Sequence, residues 1–241
     1  FVTKISMKTM TVKPWHSALM IIVLIAIFGL LTNYLLNNET VKPIVIEPNQ
    51  LTKSQFGALQ QAIEPIGKVQ FFGADLVKIH QTISQLTWVE SANVQRDWNN
   101  GVVVSVIARK PIANFGSDRL LDADGVVYEP AESSQLMNPN LVNLHGQDTE
   151  SQQIMQKLKR INTWYAPLDV QVQDLILTPR QTWIIRFNNG MRIMVDHEDA
   201  EQKLYNLAIQ LQSALANDFG RIDSVDLRYK NGFAIAWRNQ A

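Results

Sequence analysis

The feature that most limits this chain is a long run without charge. From Trp15 to Leu36 (WHSALMIIVLIAIFGLLTNYLL) there are 22 residues and no Lys, Arg, Asp or Glu. A helix rises about 1.5 Å per residue, so the run reaches about 33 Å, against a hydrocarbon core of about 30 Å. Its twelve Leu, Ile, Val and Phe residues together favour insertion by about 4–7 kcal/mol. A buried core helix rarely stays uncharged over six turns. A cleaved signal peptide has a shorter apolar stretch and small residues at its cut site, which Thr32-Asn33-Tyr34 matches poorly. The run therefore reads as a single transmembrane helix over 15–36, with Trp15 and Tyr34 near the interfaces.

The flanks orient it. Residues 1–14 carry Lys4, Lys8 and Lys13 and no acid, whereas Glu39, Lys42 and Glu47 follow the run. The positive-inside rule puts the N-terminus in the cytoplasm and 39–241 outside, in a bacterium the periplasm. The chain opens on Phe1, and its native start is expected upstream.

Composition removes several classes. The chain holds 22 Lys+Arg against 22 Asp+Glu, and 46% of it is apolar. That excludes a disordered chain and leaves no basic excess for nucleic acid. With no Cys, disulfides, iron–sulfur clusters and cysteine zinc sites are excluded. The external part must fold by its core alone.

That part reads first as β-α-α-β-β. Val41–Glu47 is a short β-branched strand. Thr52-Lys53-Ser54-Gln55 is a capping box ahead of Phe56, Leu59 and Ile63 at helical spacing. Asp75 can cap a second helix carrying Leu76, Ile79, Ile83 and Leu86. Val94, Arg96 and Trp98 alternate as a strand, Asn99-Asn100-Gly101 turns the chain, and 102–107 returns. A three-stranded sheet with two helices on one face is the natural packing. Lys110-Pro111-Ile112 interrupts the pattern, which places a boundary near 110–113 between parts that touch.

The second part is β-rich. It opens with a hairpin over 120–128 around Asp124-Gly125. Asp122, Asp124 and Gly125 resemble a fragment of a calcium loop, but the later ligands are missing, so a bare turn is expected. Thr149-Glu150-Ser151-Gln152 reads as a capping box for a helix bearing Ile154, Leu158, Ile161 and Tyr165. Val170–Leu177 is a strand. Trp183, Ile185 and Phe187, then Asn189-Gly190, then Met191, Ile193 and Val195 form the clearest hairpin. A helix from Asp196 or His197 carries Leu204, Leu207, Leu211 and Leu215. The acids 196–199 suit its N-terminus better than a metal, because consecutive residues cannot converge on one ion. Two short strands, 225–229 and 233–237, close the chain about Asn231-Gly232.

No glycine-rich phosphate loop, nucleophile elbow or zincin motif occurs. His80, His145 and His197 are far apart and none flanks a nucleophile pattern, so neither an enzyme nor a cofactor is expected.

Several stretches together resemble the FtsQ/DivIB family of the bacterial divisome. They are Leu86-Thr87-Trp88-Val89 with Val94-Gln95-Arg96-Asp97-Trp98, then Arg109-Lys110-Pro111-Ile112-Ala113, then Asp122-Ala123-Asp124-Gly125. Trp183–Gly190 and Val225-Asp226-Leu227-Arg228-Tyr229 through Trp237 complete the set. The resemblance implies an α+β chain: cytoplasmic tail (1–14), transmembrane helix (15–36), POTRA-like domain (39–111) and FtsQ-type β domain with flanking helices (112–241). It implies a non-catalytic inner-membrane scaffold at the septum that binds FtsB and FtsL, with FtsK as a further partner and weak homodimerisation. Arg228 and Tyr229 match family positions that contact FtsB, Arg180 resembles a third, and Gly232 and Trp237 match the closing pattern. Lys230, Asn231 and Phe233 depart from it.

Physical reasoning adds a mode of binding. The last strand is expected at a sheet edge, where a partner strand can add through free amides and carbonyls. An acidic partner segment would face Arg180 and Arg228. From pattern alone Tyr229, Phe233 and Trp237 read as core; the resemblance turns Tyr229 into a hot-spot candidate and leaves Trp237 even between the two. A translocation or outer-membrane assembly module is the alternative, because POTRA-like modules also bind barrel strands; it expects several modules or a following barrel.

Overall fold

The structure, a computed structural model, describes residues 14–37, 41–48, 50–230 and 232–238. The three tail lysines and Asn231 of the last turn lie outside them. The first element, α1, runs Pro14–Asn37. Its apolar side chains, Phe28 and Leu30 among them, are exposed. Among the described residues no helix is long and apolar enough to cross a membrane.

The next unit is β1 (Lys42–Pro43), β2 (Val45–Ile46), α2 (Lys53–Ile63), β3 (Lys68–Val69), α3 (Leu76–Ser84), β4 (Val89–Asp97) and β5 (Gly101–Ala108). Its sheet has the order β2-β5-β4. The apolar 102–107 run holds the middle place, where Val102, Val103, Val104 and Val106 are buried. Leu59 and Ile63 of α2 and Ile79 and Ile83 of α3 are buried in the same core. Both expected caps form: Thr52 Oγ1 accepts from Gln55 N while Gln55 Oε1 accepts from Thr52 N, and Asp75 accepts from Lys78 N. The single strand expected over 41–47 is instead divided. Lys42–Pro43 pairs with β3, and Val45–Ile46 pairs with β5.

Pro111 opens β6 (Pro111–Phe115), a first-residue position where its missing donor costs least. Then follow β7 (Arg119–Asp122), β8 (Val127–Tyr128), β9 (Val142–His145), α4 (Ser151–Tyr165), β10 (Val172–Leu177), β11 (Thr182–Phe187), β12 (Arg192–Asp196), α5 (Ala200–Gln212), β13 (Ile222–Asp226) and β14 (Ala234–Trp237). Nine strands form one open sheet in the order β14-β13-β12-β11-β10-β9-β6-β7-β8. Most pairs are antiparallel, but β6–β9, β9–β10 and β12–β13 are parallel. A parallel pair needs a long crossover, and α4 and α5 supply those of the last two pairs. Trp183, Ile185 and Phe187 of β11, Met191, and Ile193 and Val195 of β12 are fully buried with Ile154, Ile161 and Leu211 from the two helices.

Two helix starts differ from expectation. The box before α4 is Gln147 with Glu150, which bounds a 3-10 turn at Asp148–Glu150, rather than one starting at Thr149. The last helix starts at Ala200, not at Asp196 or His197, and ends before Leu215. Asp196 stays in β12 because it pairs with Thr182, and Asp199, at φ 55°, makes no side-chain cap. The Asp-Gly turn at 122–125 is closed by Asp122 itself, whose Oδ1 accepts from the amides of Asp124 and Val126.

Candidate partner-binding edge

β14 pairs with β13 alone, so it is one edge of the sheet among the described residues. Arg238 N donates inward to Arg221 O at 2.7 Å. Backbone groups alternate along a strand, so the amides and carbonyls of Ile235 and Trp237 point to the open side. Ala234 and Ala236 are exposed and small, and Ile235 is half-buried against the core. The edge is thus short and anchored from within.

The candidate side chains divide between its two ends. Thr182 opposes Asp196, Met194 opposes Asp226, and Asp226 opposes Ala234. The turn holding Arg180, the Arg228-Tyr229 stretch and Gly232 therefore share one end of the sheet. His197 N donates to Gln181 O at 2.8 Å and holds the Arg180 turn there. β11 and β13 are two steps apart, about 10 Å. Trp237 opposes Ile222 at the other end, where the Arg221 guanidinium lies 5.8 Å from its ring centroid. Trp237 is 45% exposed and Tyr229 58%, so both are surface residues.

The two arginines differ. Arg180 is exposed and has no hydrogen bond or ion pair among the described residues. Arg228 already holds Asp226: Nε lies 2.9 Å from Oδ1 and Nη2 lies 2.6 Å from Oδ2. Hydrogen bonding from Arg228 keeps the Asp226 carboxyl below the usual carboxylate range, and the same contact raises Arg228. The Arg228 amide adds a bond to Asp226 Oδ1 at 3.0 Å. The pair fixes the side chain over the exit of β13, leaving Nη1 without a partner among the described residues. An acidic ligand would meet a free cation at Arg180 and a shared one at Arg228.

Sequence reasoning missed the neighbouring helix. Lys203, Asn206 and Gln210 of α5, with Tyr229, Gly232 and Phe233, line a shallow cavity of about 190 Å³ beside the edge. The 203/206/210 spacing marks one helix face, but only the fold brings that face to the β13–β14 connection.

Two family descriptions match the chain: "POTRA domain, FtsQ-type" over residues 40–107 and "Cell division protein FtsQ/DivIB, C-terminal" over 111–228. The chain belongs to the FtsQ/DivIB family of cell division proteins. Its relatives include cell division protein FtsQ of Acinetobacter oleivorans, 36% identical over 75% of this chain and 63% of that protein. That of Xanthomonas campestris is 30% identical over 75% and 64%, and that of Burkholderia pseudomallei 27% over 70% and 68%. The chain thus spans slightly under two thirds of the first and second of these three. The FtsQ/DivIB C-terminal match stops at Arg228, so Tyr229, Gly232 and Trp237 lie beyond it.

Proposed function

We propose that the chain is a non-catalytic scaffold of the inner-membrane divisome, tethered by residues 15–36. Its four parts are the tail (1–14), the span (15–36), the POTRA domain (39–111) and the β domain (112–241). The β domain takes a strand of FtsB, carried there with FtsL, on the open side of β14, at the septum. The observation that carries this reading is the single-sided pairing of β14. Ladder bonds to Ile235 and Trp237 give affinity. Arg180 and Arg228 select an acidic segment and Tyr229 gives it an aromatic wall. FtsK would meet the POTRA domain. The uncharged run and the exposed apolar side chains of α1 support the tether.

The test separates the ladder from the side chain. Trp237→Pro removes an outward amide that the fold does not use, and Trp237→Ala keeps it. The full chain in nanodiscs is titrated with FtsB–FtsL. Loss of binding in Trp237→Pro well beyond that in Trp237→Ala is expected. Equal, wild-type binding by both variants refutes strand addition at this edge.

A further inference from the structure

The POTRA domain carries an exposed aromatic cluster that the proposed edge does not use. Trp98 at the β4–β5 hairpin is 78% exposed and Phe72 is 53% exposed. The Phe71 ring lies 4.6 Å from Trp98 and 4.9 Å from Phe72. Such rings side by side on a surface need a reason. The cluster is also held in place. Arg96 donates from Nε to Phe71 O at 2.6 Å and from Nη2 to Phe72 O and Ala74 O at 3.2 and 2.9 Å.

Topology says which way it faces. Lys42 Nζ donates to Asn99 O at 3.1 Å, so the first residue of β1 touches the hairpin tip. β2 runs parallel to β5, with Val45 opposite Val103, so the chain enters the domain at that same tip end. β5 then runs eight residues, about 26 Å, before the chain leaves for the β domain. Asn37, the last residue of α1, is five peptide steps from Lys42, at most about 18 Å. The aromatic tip is thus the end of the domain nearest α1, and the β domain lies at the other.

We infer that Phe72 and Trp98 dock this end of the POTRA domain into the interface of the bilayer that holds α1, an inference that rests on the tether proposed above. Trp and other amphipathic rings favour the headgroup level. Lys42 and Lys68 stand opposite each other's neighbours in the β1–β3 pair beside the tip, and cations there favour anionic headgroups. In the same hairpin Asp97 accepts from the amides of Asn99 and Asn100. The docked tip sets the domain's tilt and the height at which β14 is presented.

The chain has no Cys, so single labels are clean. Asn100→Cys and, separately, Ile25→Cys are labelled with bimane in the full chain, in vesicles of phosphatidylethanolamine with phosphatidylglycerol as minor component. Acyl-brominated lipid is expected to quench both, and quenching at 100 is expected to be lost in Phe72→Ala/Trp98→Ala while that at 25 persists. A label at 100 open only to aqueous iodide, with 25 quenched by lipid, overturns the docking and leaves the tether standing, and a protein partner becomes the cluster's reading. Lipid quenching at 100 that survives the double substitution overturns the role of the rings. A label at 25 in water overturns tether and docking together. Both aromatic side chains are exposed, so an unchanged melting temperature is expected to confirm that the double variant folds.

Discussion

Arg109 and Asp122 join the two domains: Nη1 of the first lies 2.5 Å from Oδ2 of the second, and their side chains are only 18% and 7% exposed. Arg109 also donates from Nε to Thr87 O at 3.1 Å, and Tyr128 and Leu120 of the β domain are buried in the POTRA core. Removing one partner of a sheltered pair leaves the other charge uncompensated. Arg109→Ala is expected to destabilise the chain by about 2–3 kcal/mol, below the fully buried range because the arginine keeps some solvent. Urea unfolding of Arg109→Ala, Asp122→Ala and the double variant checks this, and the double variant should cost less than the sum.

The Tyr128 hydroxyl shares this seam and is pushed up to about 12, by burial first and then by the Asp122 charge. Burial raises Tyr165 further, whose hydroxyl donates to Leu204 O. In the unfolded chain both ionise near about 10. Above that pH the unfolded state binds fewer protons than the fold, so stability present below about pH 10 is lost as pH rises toward 12. Melting temperature should fall steeply over that window, and less steeply in Tyr128→Phe and Tyr165→Phe.

Gly125 sits at φ 82°, and a Cβ there would lie 2.8 Å from Gln152 Cγ. Its carbonyl accepts from the buried Ser151 hydroxyl at 2.8 Å. The turn is thus both left-handed and wedged against the start of α4. Gly125→Ala is expected to cost about 1–2 kcal/mol from the backbone alone, more with the clash, as read from the chemical denaturation midpoint.

These positions show what residue order can and cannot reveal. Period-two runs at 183–187 and 191–195 made the central hairpin visible, because each strand has one face in the core. The caps at Thr52 and Asp75 were visible because capping is local. The start of α5 was hidden, since Asp196 is kept in β12 by a partner fourteen residues away. The division of 41–47 depends on β3 and β5, which local pattern does not name. Arg228 and Trp237 lie only nine positions apart in sequence, yet the strand carries them to opposite ends of the sheet. The Asp226–Arg228 pair and the α5 wall of the cavity likewise required the assembled sheet.

The last prediction concerns the two arginines at the shared end. Arg228 is about half exposed, so solvent screens its pair with Asp226 and the pair adds little to folding. Arg228→Glu places two carboxylates together and should lower the melting point slightly, whereas Arg180→Glu, with no partner among the described residues, should leave it unchanged. If an acidic strand docks beside them, both substitutions weaken it, and Arg180→Glu gives the cleaner reading because it frees no internal acid. A loss of about 1–3 kcal/mol in FtsB–FtsL affinity is expected for each, larger at low salt because the rim charges are screened. Binding measured at two ionic strengths, alongside thermal unfolding, checks it. Unaltered affinity in Arg180→Glu at low salt would remove the acidic-segment element and leave the ladder to act alone.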